Sequence, residues 1–335
     1  MIMKRKQWKK MLAMVVTGMC LLSGCAVGRV PDADDSRLHI VCTTFPQYDW
    51  VRNLVRGNEE NFLLTLLTDK GGDLHNFQPS ALDIANVSDC DMFVYVGGES
   101  DVWVDDALAE AVNSDMRVIN MMEVVSGNLV EEEHLESFEH MGHEHEGHAA
   151  EYDEHIWLSL RNAGMIVAEM TAQLVELDDA NASLYEKNCA AYLAELDALD
   201  RQYTKLVEES RNDTLLFADR FPFRYFVEDY GIKYYAAFEG CSAETEASFG
   251  TVAFLAGKLN ELGTGAVIVL DGSDDRLAQV LIENTEKKNQ KILVLNSLQS
   301  VSRKDIKAGL SYLSAMEDNR NVLGQALNLT SGKAN

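Results

Sequence analysis

The feature that most limits the fold is an alternation of two hydrophobic periods that runs through both halves of the chain. Strand-like runs, "LHIVCTT", "NFLLTLL", "DMFVYVGG" and "MRVINM", trade places with segments of helical spacing, "PQYDWVRNLVRG", "PSALDIANVSDC" and "DDALAEAVNS". The second half restarts the pattern with "TLLFAD", "YYAAFE", "GAVIVLDG" and "KILVLNS". Strand–helix alternation of this kind predicts parallel sheets covered by helices. With 335 residues the chain can build two such units, each with its own core. The halves share a class of pattern and not a sequence.

Between them Tyr185, Cys189, Tyr192, Leu196, Leu199, Tyr203 and Leu206 recur at steps of four and three. This predicts one apolar stripe on a helix of roughly 22 residues, about 33 Å long. Ser183 and Glu186 form a capping-box pattern near its start. A helix lying across two domains fits this stripe better than a short coiled-coil seam. The expected fold is α/β, with two lobes, each a mainly parallel sheet flanked by helices, joined by one long rigid helix. The lobes are expected over residues 38–178 and 212–335, with the linking helix in 179–211.

The N-terminus carries an address. Basic "MIMKRKQWKK" precedes apolar "MLAMVVTGMCLL", which is too short to span a bilayer core of ~30 Å as a helix. The run ends in "LSGC", Leu22 to Cys25, which resembles a bacterial lipobox. Residues 1–24 then read as a lipoprotein signal peptide, Cys25 as the lipidated residue, and 25–37 as a tether to the outer face of the cell membrane. Cys42, Cys90, Cys189 and Cys241 remain in the mature chain. Their long spacings show no CxxC pattern and leave both disulfides and buried thiols open. The net charge of -25 repels phosphate backbones and argues against nucleic acid as a partner.

Two stretches carry candidate chemistry. "GGDLHNFQPSALD" places His75 after a strand and a Gly-Gly turn and before a helix that Pro79 can start, at the carboxyl end of a strand where α/β proteins gather ligands. "HMGHEHEGHAAEYDEH", residues 140–155, holds five of the eight histidines. His155 stands directly before "IWLSL", a segment of ordered character. His134, His140, His143, His145 and His148 lie in a histidine-rich loop, 134–150, among Glu, Gly and Ala without apolar periodicity. Clustered imidazoles of this kind predict weak capture of zinc, copper or nickel. No HExxH occurs, so a zincin-type protease is not supported.

"GGDLHNFQPSALD", "DEHIWLSL" and the closing "SYLSAMEDNRNVLGQAL" together resemble the metal-binding lipoproteins of bacterial zinc and manganese ABC importers, over nearly the whole mature chain. The resemblance implies one metal ion in a cleft between the lobes, with His75 and His155 as the first two ligands. The third position, usually histidine in zinc-binding members, falls in "LLFADRFPFRYF" on Asp219 or Arg220, of which only aspartate can ligate a cation. A loop glutamate of manganese-type members matches Glu244 or Glu246 in "GCSAETEAS". A remaining position falls near Asp271 or Asn296. The expected set is His75, His155, Asp219 and Glu244. The resemblance implies Zn(II) as cargo, with Mn(II) as the alternative, an ABC importer permease as partner, and a monomer anchored to membrane lipid through Cys25. It implies a carrier and not an enzyme. The competing class, a surface-anchored metallohydrolase, needs an open coordination position with bound water and a general base.

Overall fold

The computed structural model describes residues 36–72, 74–132, 152–238, 240 and 247–331. The signal segment, Cys25, the histidines from His134 to His148, Cys241, Glu244 and Glu246 lie outside the described residues.

Strand and helix alternate as the two periods require. The first lobe runs β1 Leu38–Cys42, α1 Phe45–Leu54, β2 Phe62–Leu66, α2 Ala81–Asp89, β3 Met92–Tyr95, α3 Trp103–Ala109, β4 Arg117–Asn120 and α4 Met121–Val124. Then come α5 Leu160–Leu177 and the long α6 Ala182–Glu208. The second lobe runs β5 Thr214–Phe217, α7 Arg224–Tyr230, β6 Lys233–Ala236, α8 Phe249–Leu262, β7 Ala266–Leu270, α9 Arg276–Glu283, β8 Lys291–Leu295, α10 Arg303–Lys307 and α11 Tyr312–Asn328. The strand orders are β2-β1-β3-β4 and β6-β5-β7-β8. Every pairing is parallel, so each sheet is wound alike, with its switch of direction between its first and third strands. The carboxyl ends of those strands are where such sheets offer a ligand crevice.

The stripe on α6 explains how two sheets become one body. The helix has 27 residues and buries Tyr185, Cys189, Tyr192, Leu196, Leu199 and Tyr203, with Leu206 packed half-buried on the same core. Tyr185 meets Phe62 of the first lobe edge-on, whereas Tyr203 meets Phe226 and stacks on Tyr230 of the second. One apolar face thus adheres to both lobes. The Ser183–Glu186 box does not mark the helix start, because Asn181 occupies the cap after a 3-10 turn, Asp179–Asn181. Asp178 accepts hydrogen bonds from the side chains of Asn181 and Tyr185, which winds that turn onto the helix. A similar correction applies to α2, whose cap is Ser80 in a reciprocal box with Asp83, leaving Pro79 outside.

The lobes also meet directly. Tyr312, the first residue of α11, donates its N–H to Asp49 Oδ2 of α1 at 2.9 Å, and its ring packs edge-on against Trp50. Both aromatic side chains are fully buried, each contributing about 1.5–3 kcal/mol by the area removed from water. Nearer the cleft, Arg303 N–H donates to Asp69 O at 2.9 Å, and an isolated antiparallel bridge joins Lys70 to Ser302. Cys42, Cys90 and Cys189 are buried free thiols. Burial pushes the Cys42 and Cys90 thiols well up, so they remain protonated and unreactive.

Candidate metal centre

His75 sits in a 3-10 turn, Leu74–Asn76, beyond the end of β2, with fully buried Leu74 as its anchor. His155 caps a second 3-10 turn, Ile156–Leu158, whose three side chains are all fully buried and lead into α5. Buried apolar residues directly beside each histidine thus fix its place. The fold brings the two rings together, with Nε2 atoms 3.2 Å apart and ring centroids 5.2 Å apart.

The other nitrogen of each ring is held from behind. Asp153 Oδ1 lies 3.0 Å from His155 Nδ1 and also accepts the His155 backbone N–H at 2.8 Å. Ser100 Oγ lies 2.8 Å from His75 Nδ1 and donates its own proton to Glu154 Oε2, while Ser100 N–H donates to Glu154 Oε1 at 2.9 Å. A carboxylate only accepts, and a hydroxyl that has given its proton to Glu154 accepts in turn. Both Nδ1 atoms therefore carry the proton, and both Nε2 lone pairs face the cleft. Gly98, at φ +79°, makes room for Glu154, whose carboxylate a Cβ there would strike. Next to Ser100, Asp101 is buried and accepts the N–H groups of Val96 and Gly97. Its pKa is pushed up to about 6, chiefly by burial, against those two hydrogen bonds and with the Glu154 charge adding to the rise.

The second lobe contributes Gln299, a residue outside the set expected from the sequence. Its amide Nε2 lies 2.5 Å from His155 Nε2 and 3.5 Å from His75 Nε2, and the residue is only 4% exposed. As placed, the amide donates to the His155 lone pair. A half-turn about its last torsion would put the carbonyl oxygen there instead, making a third lone-pair donor. Asp219, by contrast, is committed to its own lobe. Oδ1 accepts Arg220 N–H at 2.8 Å and Oδ2 accepts Leu270 N–H at 3.0 Å, joining the ends of β5 and β7. Asp271 accepts Ser297 N–H and Oγ–H through Oδ1, and burial raises its pKa. Asn296 has its backbone N–H and C=O taken by the Asn319 side chain. These two residues support the Gln299 loop. Among the described residues no three His, Cys, Asp or Glu side chains gather in one metal-holding group; the third partner of the histidine pair is an amide. Asp153 was legible within "DEHIWLSL", two residues before the histidine it orients, but nothing in the residue type of Gln299 announced it.

The sequence profile described as zinc-uptake complex component A, periplasmic, matches residues 40–326. The zinc-binding lipoprotein AdcA of Streptococcus pneumoniae is 29% identical over 320 residues, covering 94% of this chain and 61% of that protein. This chain thus spans about three fifths of that relative. The high-affinity zinc uptake system protein ZnuA of Bacillus subtilis is 29% identical over 328 residues, covering 96% of this chain and 98% of its own. The crystal structure of the Zn(II)-bound ZnuA-like domain of Streptococcus pneumoniae AdcA superposes with a TM-score of 0.69 at 26% identity, over 87% of this chain and 99% of that one. The metal-dependent lipoprotein YcdH of Bacillus subtilis gives 0.70 at 26% identity, over 87% and 100%.

Proposed function

This chain belongs to the family of periplasmic A components of zinc-uptake complexes, and from that premise we propose that it captures Zn(II) outside the cytoplasm and delivers it to the permease of an ABC-type importer. The observation that carries the reading is the histidine pair. Zn–N bonds of about 2.0–2.1 Å in a tetrahedron place neighbouring nitrogens about 3.3–3.4 Å apart, and the two Nε2 atoms stand 3.2 Å apart with their lone pairs inward. Two neutral nitrogen donors at that spacing repel each other unless a proton or a cation lies between them.

His75, His155 and the Gln299 carbonyl supply three donors in this proposal, with Glu244, or Asp219 through the further lone pair of an oxygen that already accepts a backbone N–H, as the carboxylate for a fourth. Imidazole with oxygen suits Zn(II), and Mn(II) becomes competitive only as the oxygen share rises. A carrier closes its coordination positions and performs no bond-making step. The relatives described above are named for zinc binding and uptake, and the absence of enzymatic activity is part of this proposal. So are the lipid anchor at Cys25, the monomeric state, the division at residues 38–178, 179–211 and 212–335, and the auxiliary role of the loop histidines. Among the described residues no helix is long and apolar enough to cross a membrane.

The test is a chelator competition with zinc on the purified mature chain beside His75→Ala and His155→Ala. One tight equivalent that weakens in both variants is expected. Wild-type affinity in either variant removes that histidine from the site, and zinc-dependent hydrolytic turnover would favour the metallohydrolase.

A further inference from the structure

We infer that Trp157 is a positioning residue of the cleft: its indole N–H, by holding the Ser297 carbonyl, sets where Gln299 stands relative to His155. The inference rests on the zinc-capture reading above and goes beyond its ligand set.

Trp157 is fully buried, and its ring meets the His155 ring edge-on at 5.3 Å between centroids. A buried indole N–H needs an acceptor. The one it finds belongs to the other lobe: Nε1–H donates to Ser297 O at 2.9 Å, across 140 residues of chain. The Trp157 carbonyl accepts the Tyr312 hydroxyl at 2.6 Å, which ties the same residue to the start of α11.

These contacts close a ring of short links. Trp157 lies two positions after His155, and Gln299 lies two positions after Ser297. The indole hydrogen bond joins one pair, and the 2.5 Å contact between Gln299 and His155 joins the other. Between Ser297 and Gln299 lies Leu298 at φ +62°, in the left-handed region that a residue with a Cβ adopts only when its surroundings impose it. Those surroundings are explicit. The Leu298 side chain is fully buried, its N–H donates to Asn296 Oδ1 at 2.8 Å, and Ser297 is held by Asp271 in front and by Trp157 behind. The direction in which Gln299 leaves the backbone is thereby set by a first-lobe residue that offers no donor atom to the ion itself. The spacing of donors across the cleft is then a local property, independent of small adjustments between the lobes.

The test uses the full mature chain as wild type, His155→Ala and Trp157→Phe, the last keeping an aromatic ring without the N–H. Zinc affinity is read by chelator competition, and donor geometry by the visible absorption of the Co(II)-substituted protein. Trp157→Phe should weaken zinc by about 10–100-fold, the range found when a group orienting a ligand is removed, and should change the Co(II) spectrum. A residue that only fills the core would shift the melting temperature and leave that spectrum as it was. An unchanged Co(II) spectrum, whatever the melting temperature, overturns the inference. Should the Phe variant not fold, β-(3-benzothienyl)alanine at position 157 keeps the fused ring and removes only the donor, and the same readings decide. If wild type and His155→Ala bind zinc equally, the cleft reading itself fails and takes this inference with it; if they differ while the position 157 variants match wild type, only the inference fails.

Discussion

One oxygen of Asp153 holds His155 twice, accepting the backbone N–H at 2.8 Å and meeting ring Nδ1 at 3.0 Å. Both residues are almost wholly buried, so water cannot take over either contact. The carboxylate fixes the tautomer, raises the basicity of Nε2 and supplies negative charge one bond away from a site whose described donors are neutral. Asp153→Asn should therefore weaken the tight zinc site by about 10–100-fold while leaving the fold in place. Chelator competition beside a far-ultraviolet spectrum checks this, and an unaltered affinity would show the carboxylate to be a bystander.

Gln299 offers an amide oxygen where a carboxylate would offer charge. Gln299→Glu keeps the length of the side chain and places an anion against the ion. The expected gain is about 1.4 kcal/mol or more, which is tenfold in affinity. Gln299→Ala should move the other way. Equal zinc affinities for all three proteins would mean that the second lobe supplies its ligand from elsewhere.

Asp101 gives stability a pH dependence of definite sign. Its folded pKa of about 6 lies above the ordinary aspartate value, chiefly because the carboxyl is buried. In the window from about pH 4 to 6 the folded state holds a proton that the unfolded state has lost, so stability falls as pH rises through it. Asp101→Asn removes that penalty. The metal-free variant should exceed the wild type by roughly 1–3 kcal/mol at pH 7 and show a shallower decline between pH 4 and 6. Denaturant unfolding at both pH values measures the difference, and parallel pH curves would refute it.

Deleting residues 134–148 separates the two kinds of histidine. The weak zinc equivalents should disappear and loading at low zinc should slow, because imidazoles set among Glu, Gly and Ala without apolar anchors are expected to hold metal loosely. The tight equivalent should persist, read by metal analysis after dialysis against a weak chelator. Its loss from a folded deletion variant would place one of His134, His140, His143, His145 and His148 among the primary ligands.

Cys25→Ala tests the anchor. The variant should move from the membrane fraction to the soluble one and retain the zinc affinity of the wild type. Full retention with membranes would exclude lipid at Cys25 as the attachment.

Much of the fold was legible because burial leaves periodic traces. Each of the eight strand-like runs became a strand, and the stripe from Tyr185 to Leu206 became the face of α6 that grips both lobes. The helix starts were off by a residue or two, since Asn181 and Ser80 cap what Ser183 and Pro79 seemed to open. Caps are decided by local hydrogen bonds that periodicity does not record. His75 and His155 stood out because each lies in a motif, "GGDLHNFQPSALD" and "DEHIWLSL", that resembles those of the metal-binding lipoproteins.

Gln299 and Trp157 did not stand out. An amide in "NSLQS" and a tryptophan in an apolar run have ordinary uses in a loop and a core, and their meaning here comes from contacts across 144 and 140 residues of chain. Asp219 shows the converse, a carboxylate suited by type to a metal whose two oxygens serve Arg220 and Leu270. The sequence alone determined the class of fold and the strut, which follow from periodicity read locally, and its motifs singled out His75 and His155 as the proposed first pair of ligands. Which second-lobe residue faces that pair, and which groups aim each imidazole, was decided only when packing closed the chain on itself, because a donor's direction is a three-dimensional quantity that no local pattern contains.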